Sequence, residues 1–474
     1  MANGVIKQGI SNVKYVLFSQ FSYYLVMFFT SLVLPGLLGV IPNGYYQIYF
    51  FYTTSFVGLL HLGYNDGVFL KYGGYQYRDL PRRSFRSGTR IYVCMNALEM
   101  VVVIAIILFE KDPSKRFAFF FAALDIVAIN LSSLLNYINQ ATGRIKLYSF
   151  IVVAEKAQLM AGLLIMLLLR RMDFHAVIVL DFAAKVVVLC INVYQCRDLI
   201  FGEHIPLKEA WGEYWDNIRV GIKLMIANLM AMMVLGAGKL FLERLGSVSD
   251  FSMYTFAANA INVAMMFISA VGLVLYPVLC RLPKNVLPYY FQRINRLLCA
   301  FIFCMMLLYY PMVPIIRYFL PHYTPVFQYL YLLFPIVIMQ SKMQLLINNF
   351  YETLREEKAM MWANVSSVAI FVAIALPLFL WKHSVMVIVW TTLGVFVWRC
   401  YASELFLKKK MDIHHFRNIA EELGMGALFL LLNAFLGWEI AGIVNTIVVA
   451  FYVFHYRKEL IPAAKTVISG ALSR

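Results

Sequence analysis

The sequence predicts an all-α integral membrane fold: two pseudo-symmetric six-helix lobes around a central cavity, plus a C-terminal helical hairpin. Three observations predict it. Of 474 residues, 62% are hydrophobic and only 14% charged, with a mean hydropathy of +0.73; soluble domains run at about 45–50% apolar and about 25% charged. Apolar segments long enough to cross a bilayer recur along the whole chain. The second half also echoes the first at a nearly constant offset. A soluble enzyme, a disordered chain and a disulfide framework are excluded by composition.

A membrane-crossing helix needs about 20 apolar residues. Fourteen segments meet that measure: 14–40, 45–70, 89–109, 117–142, 147–169, 174–196, 219–242, 252–279, 296–320, 324–350, 361–381, 384–406, 420–436 and 438–455. The first is too long for a signal-peptide core and reads as an uncleaved helix. The last two are short and turn through Gly437 and Trp438. The polar stretch 197–218 divides the chain, giving an N-terminal lobe over 1–205, a cytoplasmic linker over 206–218, a C-terminal lobe over 219–410, and a hairpin and tail over 411–474.

An even count puts both termini on one side. Most of the 41 Lys and Arg fall at the termini and after even-numbered segments, so the positive-inside rule places both termini in the cytoplasm. The densest cluster, Lys71, Arg78, Arg82, Arg83, Arg86 and Arg90, follows the second segment. It reads first as a topology signal and second as an attractor of anionic lipid. The formal charge of +16 is explained in the same way, with no domain to present a nucleic-acid face. The 7 cysteines contain no C-x-x-C pair and read as small apolar residues, so neither a disulfide nor a zinc site is expected.

An offset of 208 or 209 aligns Ile138–Gln140 with Ile347–Asn349, Ser132 with Ser341, Gln20 with Asn228 and Tyr46 with Tyr254. Both halves start on the cytoplasmic side, so the repeat is parallel, an arrangement that encloses a cavity between lobes.

The stretch Asn43–Gly74, NGYYQIYFFYTTSFVGLLHLGYNDGVFLKYGG, opens on Gly-Tyr, carries the pair Leu62 and Gly63, and leaves through Gly67, Gly73 and Gly74. It resembles the second helix of the polysaccharide-biosynthesis branch of the multidrug/oligosaccharidyl-lipid/polysaccharide exporter superfamily, as the count of six plus six helices and a terminal pair does. The resemblance implies a flippase that moves a polyprenyl-pyrophosphate-linked oligosaccharide from the cytoplasmic to the outer leaflet by alternating access. It further implies a bacterial cytoplasmic membrane and other polysaccharide-assembly membrane proteins as partners, alongside membrane lipids. Peptidoglycan-precursor flippases of that superfamily carry cavity arginines in helices 1, 2 and 8. Here those helices offer Gln20, His61, Asn259 and Asn262, which favours an oligosaccharide-lipid carrier.

Polar residues inside spans face protein or water. Asp125, Ser132, Asn136 and Asn139 share one helical face; Ser252, Thr255, Asn259 and Asn262 form another; Ser341, Lys342, Gln344, Asn348 and Asn349 a third; Gln20, Tyr24 and Ser31 a fourth. Interhelical hydrogen bonding is the plainer explanation for any one of them. Four lysines lie in later spans: Lys185, Lys223, Lys239 and Lys342. Lys223 can snorkel, while Lys185 and Lys239 have acids four residues away, at Asp181 and Glu243. Lys342 lacks such a partner and is the leading candidate for the substrate's phosphates, followed by Lys239, which shares a face with Asn228. Asp125 is the candidate for coupling to H+ or Na+; no other cofactor is expected. A cation-coupled multidrug antiporter of the same fold and a membrane glycan polymerase or ligase are the alternatives. Lysines on the polar faces disfavour the first, and short external loops the second.

Overall fold

The computed structural model describes residues 15, 18–279 and 284–472, with side chains at 227, 266–284 and 463–472 outside that description. Both chain termini therefore lie outside the described residues. The described chain is helical, with no strand. It divides into two compact units, residues 1–232 and 233–474.

The first unit contains α1 (Phe18–Leu38), α2 (Val40–Ser55), α3 (Tyr64–Tyr72), α4 (Arg82–Ile107), α5 (Pro113–Ala141), α6 (Ile145–Leu168), α7 (Phe174–Gln195) and the first part of α8 (Leu207–Leu245). At its centre is α5, 61% buried across its apolar window, which packs against α2, α3, α4 and α7. Ala118, Ala122, Ala123 and Ala128 let those neighbours approach closely. The helix starts where Asp112 accepts backbone hydrogen bonds from Ser114 and Lys115, with Pro113 at its first position. Large apolar side chains on α4, such as Leu98, Val101 and Ile106, point outward, as a lipid-facing surface requires.

The segment expected as one helix over 45–70 is two. Helix α2 ends at Ser55 and α3 begins at Tyr64, because Leu62 and Gly63 adopt positive φ (51° and 79°), which a right-handed helix does not accommodate. Gly63 is also pressed against α8: a Cβ there would stand 2.6 Å from the Gly221 carbonyl carbon. A Cβ on Gly67 would overlap the Asn217 carbonyl, and one on Gly221 the Gly63 carbonyl. The glycines of this stretch thus let two backbones touch.

The polar stretch around 197–218 is not an open linker. Arg197–Ile200 forms one helical turn and α8 begins at Leu207, so 206–218 is almost wholly helical. The basic cluster after α3 grips this stretch: Lys71 pairs with Glu213 at 3.9 Å, Arg82 with Asp198 at 3.5 Å, and Arg83 with Glu203. Arg86 Nε donates to the Asp198 carbonyl at 3.0 Å. Tyr77 donates to Asp198 Oδ1 at 2.7 Å, and burial beside that carboxylate raises its hydroxyl pKa.

The second unit takes in the remainder of α8, then α9 (Val248–Leu279), α10 (Leu287–Phe319), α11 (Pro321–Leu333), α12 (Ile336–Thr353), α13 (Glu357–Lys382), α14 (Val385–Lys410), α15 (Arg417–Phe435) and α16 (Trp438–Leu472). Here α14 is the central helix, packed against α11, α12 and α13. The pair α11–α12 bends by 52° at Phe334–Pro335, where proline removes a backbone donor. Just beyond, the backbone widens into a π-helical stretch, Met343–Ile347.

Among the described residues, ten helices are long and apolar enough to cross a membrane, or up to twelve if each of two bent pairs, 207–245 and 321–353, is one span. Of the fourteen expected segments, 45–70 is absent from that count because it is broken, and 252–279 runs onto side chains outside the described residues.

Candidate functional site

Each unit buries a charged cluster. In the first, Tyr49 of α2 stands between Asp125 of α5 and Asp181 of α7, its hydroxyl 2.7 Å from Oδ2 of both. Lys185, one turn after Asp181, reaches the Tyr49 hydroxyl at 2.9 Å, Asp125 at 2.8 Å and Asp181 at 2.6 Å. The alignment follows from helical spacing, since residues four apart share a face. One phenol proton cannot serve two carboxylates, and since the nearby Lys156 is paired with Glu155, the Lys185 ammonium neutralises only one of them. Asp125 Oδ1, moreover, is buried with no hydrogen-bond partner among the described residues. An ionised carboxylate in that position is costly; a proton on Asp125 removes the excess charge. The intrahelical reading of Lys185 with Asp181 holds, but Asp125 and Tyr49 are further members that spacing alone did not reveal.

The rest of the α5 face is turned onto neighbouring helices. Asn192 Nδ2 on α7 donates to Ser132 Oγ at 3.0 Å and to Asn136 Oδ1 at 3.1 Å. Asn139 meets Cys196, and Asn130 donates to Asn96 of α4 at 2.6 Å. Asn136 is half-buried within this ladder, whereas Gln20 is half-buried on α1 and Asn228 exposed on α8.

In the second unit, Lys342 is fully enclosed (0% exposed). Its Nζ lies 2.6 Å from Glu404 Oε2 on α14 and 2.7 Å from Glu422 Oε2 on α15. Lys342 has no acid partner within its own helix, as its spacing indicated; its partners are distant in sequence, and one belongs to the C-terminal hairpin. Asn295 Nδ2 donates to Glu404 Oε1 at 3.1 Å, and Cys299 donates to Glu422 Oε1 at 2.9 Å. The positive charge of Lys342 is already matched.

Lys239 has a different setting. It sits half-buried on α8, and its Nζ is 3.5 Å from Asn259 Oδ1 on α9. No carboxylate pairs with it among the described residues; Glu243, its neighbour four residues on, is 3.0 Å from Arg244. Lys239 and Asn259, drawn from two separate polar faces, are thereby brought together. Asn262 lies one turn beyond Asn259 and is half-buried, as is Gln344 on α12. No group of three or more His, Cys, Asp or Glu among the described residues could hold a metal ion.

No protein-family profile matches the sequence, and no curated protein matches it. Solved structures do. The lipid II flippase MurJ in an inward closed conformation aligns with a TM-score of 0.66 at 12% identity, covering 95% of this chain and 99% of that one. An inward-facing multidrug-resistance MATE family transporter of the MOP superfamily aligns with a TM-score of 0.56 at 12% identity, covering 83% and 94%. A mutant of the Vibrio cholerae MATE transporter VcmN gives 0.50 at 11% identity, covering 86% and 98%. The chain has the fold of these solved structures.

Proposed function

We propose that the chain is a flippase that carries a polyprenyl-pyrophosphate-linked oligosaccharide from the cytoplasmic to the outer leaflet of a bacterial cytoplasmic membrane by alternating access. The observation that carries this reading is Lys239, a cation within a candidate span that has an amide neighbour at 3.5 Å and no carboxylate partner among the described residues. A charge in such a place is expensive and marks a substrate path by default. An ammonium is a point charge suited to phosphate oxygens. In this reading Lys239 takes the phosphates, and Asn259, Asn262 and Gln344 of the same unit the adjoining sugar hydroxyls. Lys342 holds the unit together. The fold likeness to a lipid II flippase supports a lipid-linked cargo.

Asp125 serves as the coupling group, and we assign it a proton. The Lys185 ammonium already occupies the place between the two carboxylates that a bare Na+ would need. Neither membrane lipids nor other polysaccharide-assembly proteins need to enter the transport step itself. The multidrug-antiporter reading shares the fold and a buried carboxylate, but an unmatched Lys239 repels the cationic cargo it requires.

The test is the leaflet distribution of lipid-linked oligosaccharide in cells lacking the protein, rescued with wild type, Lys239→Arg or Lys239→Ala. Cytoplasmic-leaflet accumulation, cleared by wild type and largely by Lys239→Arg but at least about tenfold less by Lys239→Ala, is expected. A normal distribution in the deleted cells overturns the flippase reading, and full rescue by Lys239→Ala removes the site.

A further inference from the structure

Three helix ends and the side of α16 meet at one face of the second unit, around a cavity of ≈ 520 Å3. Its wall includes Arg293 and Arg296 of α10, Lys408 of α14, Arg417 of α15, and Lys458 and Glu459 of α16. Five cations and one carboxylate on a single wall call for an accounting of charge.

Most of the positive charge at this end is matched. Lys342 and Lys408 share Glu404 and Glu422. Arg296 lies 2.7 Å from Glu421 and 3.2 Å from Glu459, and Arg417 is 2.8 Å from Glu421. Four cations thus face four carboxylates. Arg293 and Lys458 are left over: neither has an ion-pair partner among the described residues, and Arg293 stacks on the Tyr289 ring at 5.0 Å.

Two further features aim at the same space. Helix α15 starts there with no side-chain cap on its first backbone N–H groups, so the positive end of its dipole opens onto the cavity. Lys408, whose side chain is 3% exposed, sits 2.8 Å from Glu404, and no second acceptor meets its ammonium among the described residues. An excess of two positive charges, an uncapped helix N-terminus and unspent ammonium donors together describe a receptor for a dianion with several acceptor oxygens. That is the chemistry of a phosphate monoester.

We infer that this cavity binds a dianionic phosphate group, borne by a lipid headgroup at the membrane surface or free in solution. Its residues are separate from Lys239 and Asn259, so the inference does not rest on the proposed cargo. The headgroup is held by Arg293 and Lys458 at the rim and by Lys408 and the α15 N–H groups at the base. Arg296 and Arg417, already engaged with carboxylates, shape the wall.

The full-length protein in detergent, titrated with short-chain phosphatidic acid and with phosphatidylcholine, tests this. The variant Arg293→Gln/Lys458→Gln leaves no buried carboxylate without its partner, so it keeps the fold. Arg355→Gln/Lys382→Gln, in the same unit, removes equal charge elsewhere and is the control. Wild type and control are expected to prefer phosphatidic acid by at least tenfold, and Arg293→Gln/Lys458→Gln to lose that preference. Competition by millimolar inorganic phosphate assigns the free anion as a ligand too; its absence assigns the lipid. Equal binding by wild type and Arg293→Gln/Lys458→Gln, or an equal loss in the control, overturns the inference.

Discussion

Lys342 and Lys239 are both lysines inside candidate spans, and their surroundings give them opposite roles. Removing Lys342 leaves buried Glu422 with no cation among the described residues and Glu404 with Lys408 alone; breaking a buried pair on one side costs about 3–5 kcal/mol. Lys342→Met should therefore lower the unfolding temperature in detergent sharply, and adding Glu422→Gln should restore part of the loss. Lys239→Ala strands no carboxylate and should leave the melting curve nearly unchanged while transport falls. In the first unit, Asp125→Asn mimics the protonated carboxyl and should fold normally. Wild-type transport in proteoliposomes should respond to an imposed pH gradient, and that of Asp125→Asn should not; a retained response removes Asp125 from coupling.

Among the elements, the broken second segment shows best what sequence could and could not disclose. Its glycines were visible as a motif, but their use was not, since the Gly63–Gly221 and Gly67–Asn217 approaches join stretches far apart in the chain. Gly67→Val and Gly221→Val should each push α3 from α8; overpacking typically costs about 1–3 kcal/mol, and a lowered melting temperature checks it. Most of the helices were legible from apolar length alone, because a bilayer imposes that length on the chain, but the break within 45–70 was not. The polar faces were legible as faces, but not their direction. Periodicity places Ser132 and Asn136 on one side of α5 without saying that Asn192 waits there. Lys342 looked unpartnered for the same reason, since Glu422 lies 80 residues away.

For the whole molecule, charge distribution remains the guide to orientation. The cluster from the end of α3 onward clasps the 197–213 stretch through Glu213, Asp198 and Glu203, so part of its positive charge is spent within the protein. If both termini are cytoplasmic, a membrane-impermeant label should reach cysteines placed at either end only after the membrane is opened. Labelling of one end in intact cells would make the number of crossings odd.

The pairing of Lys342 with Glu422 sets an order of events during synthesis. Glu422 follows Lys342 by 80 residues, and at about 5–20 residues per second this is a delay of roughly 4–16 s. Through that interval the nascent chain holds one of its costliest side chains without its full complement of acids. A chain cut after residue 410 would never receive Glu422. The hairpin, which looks like an optional extension, is thus the step that completes the unit it follows, and a shorter version of this protein would leave Lys342 and Lys408 to share Glu404 alone.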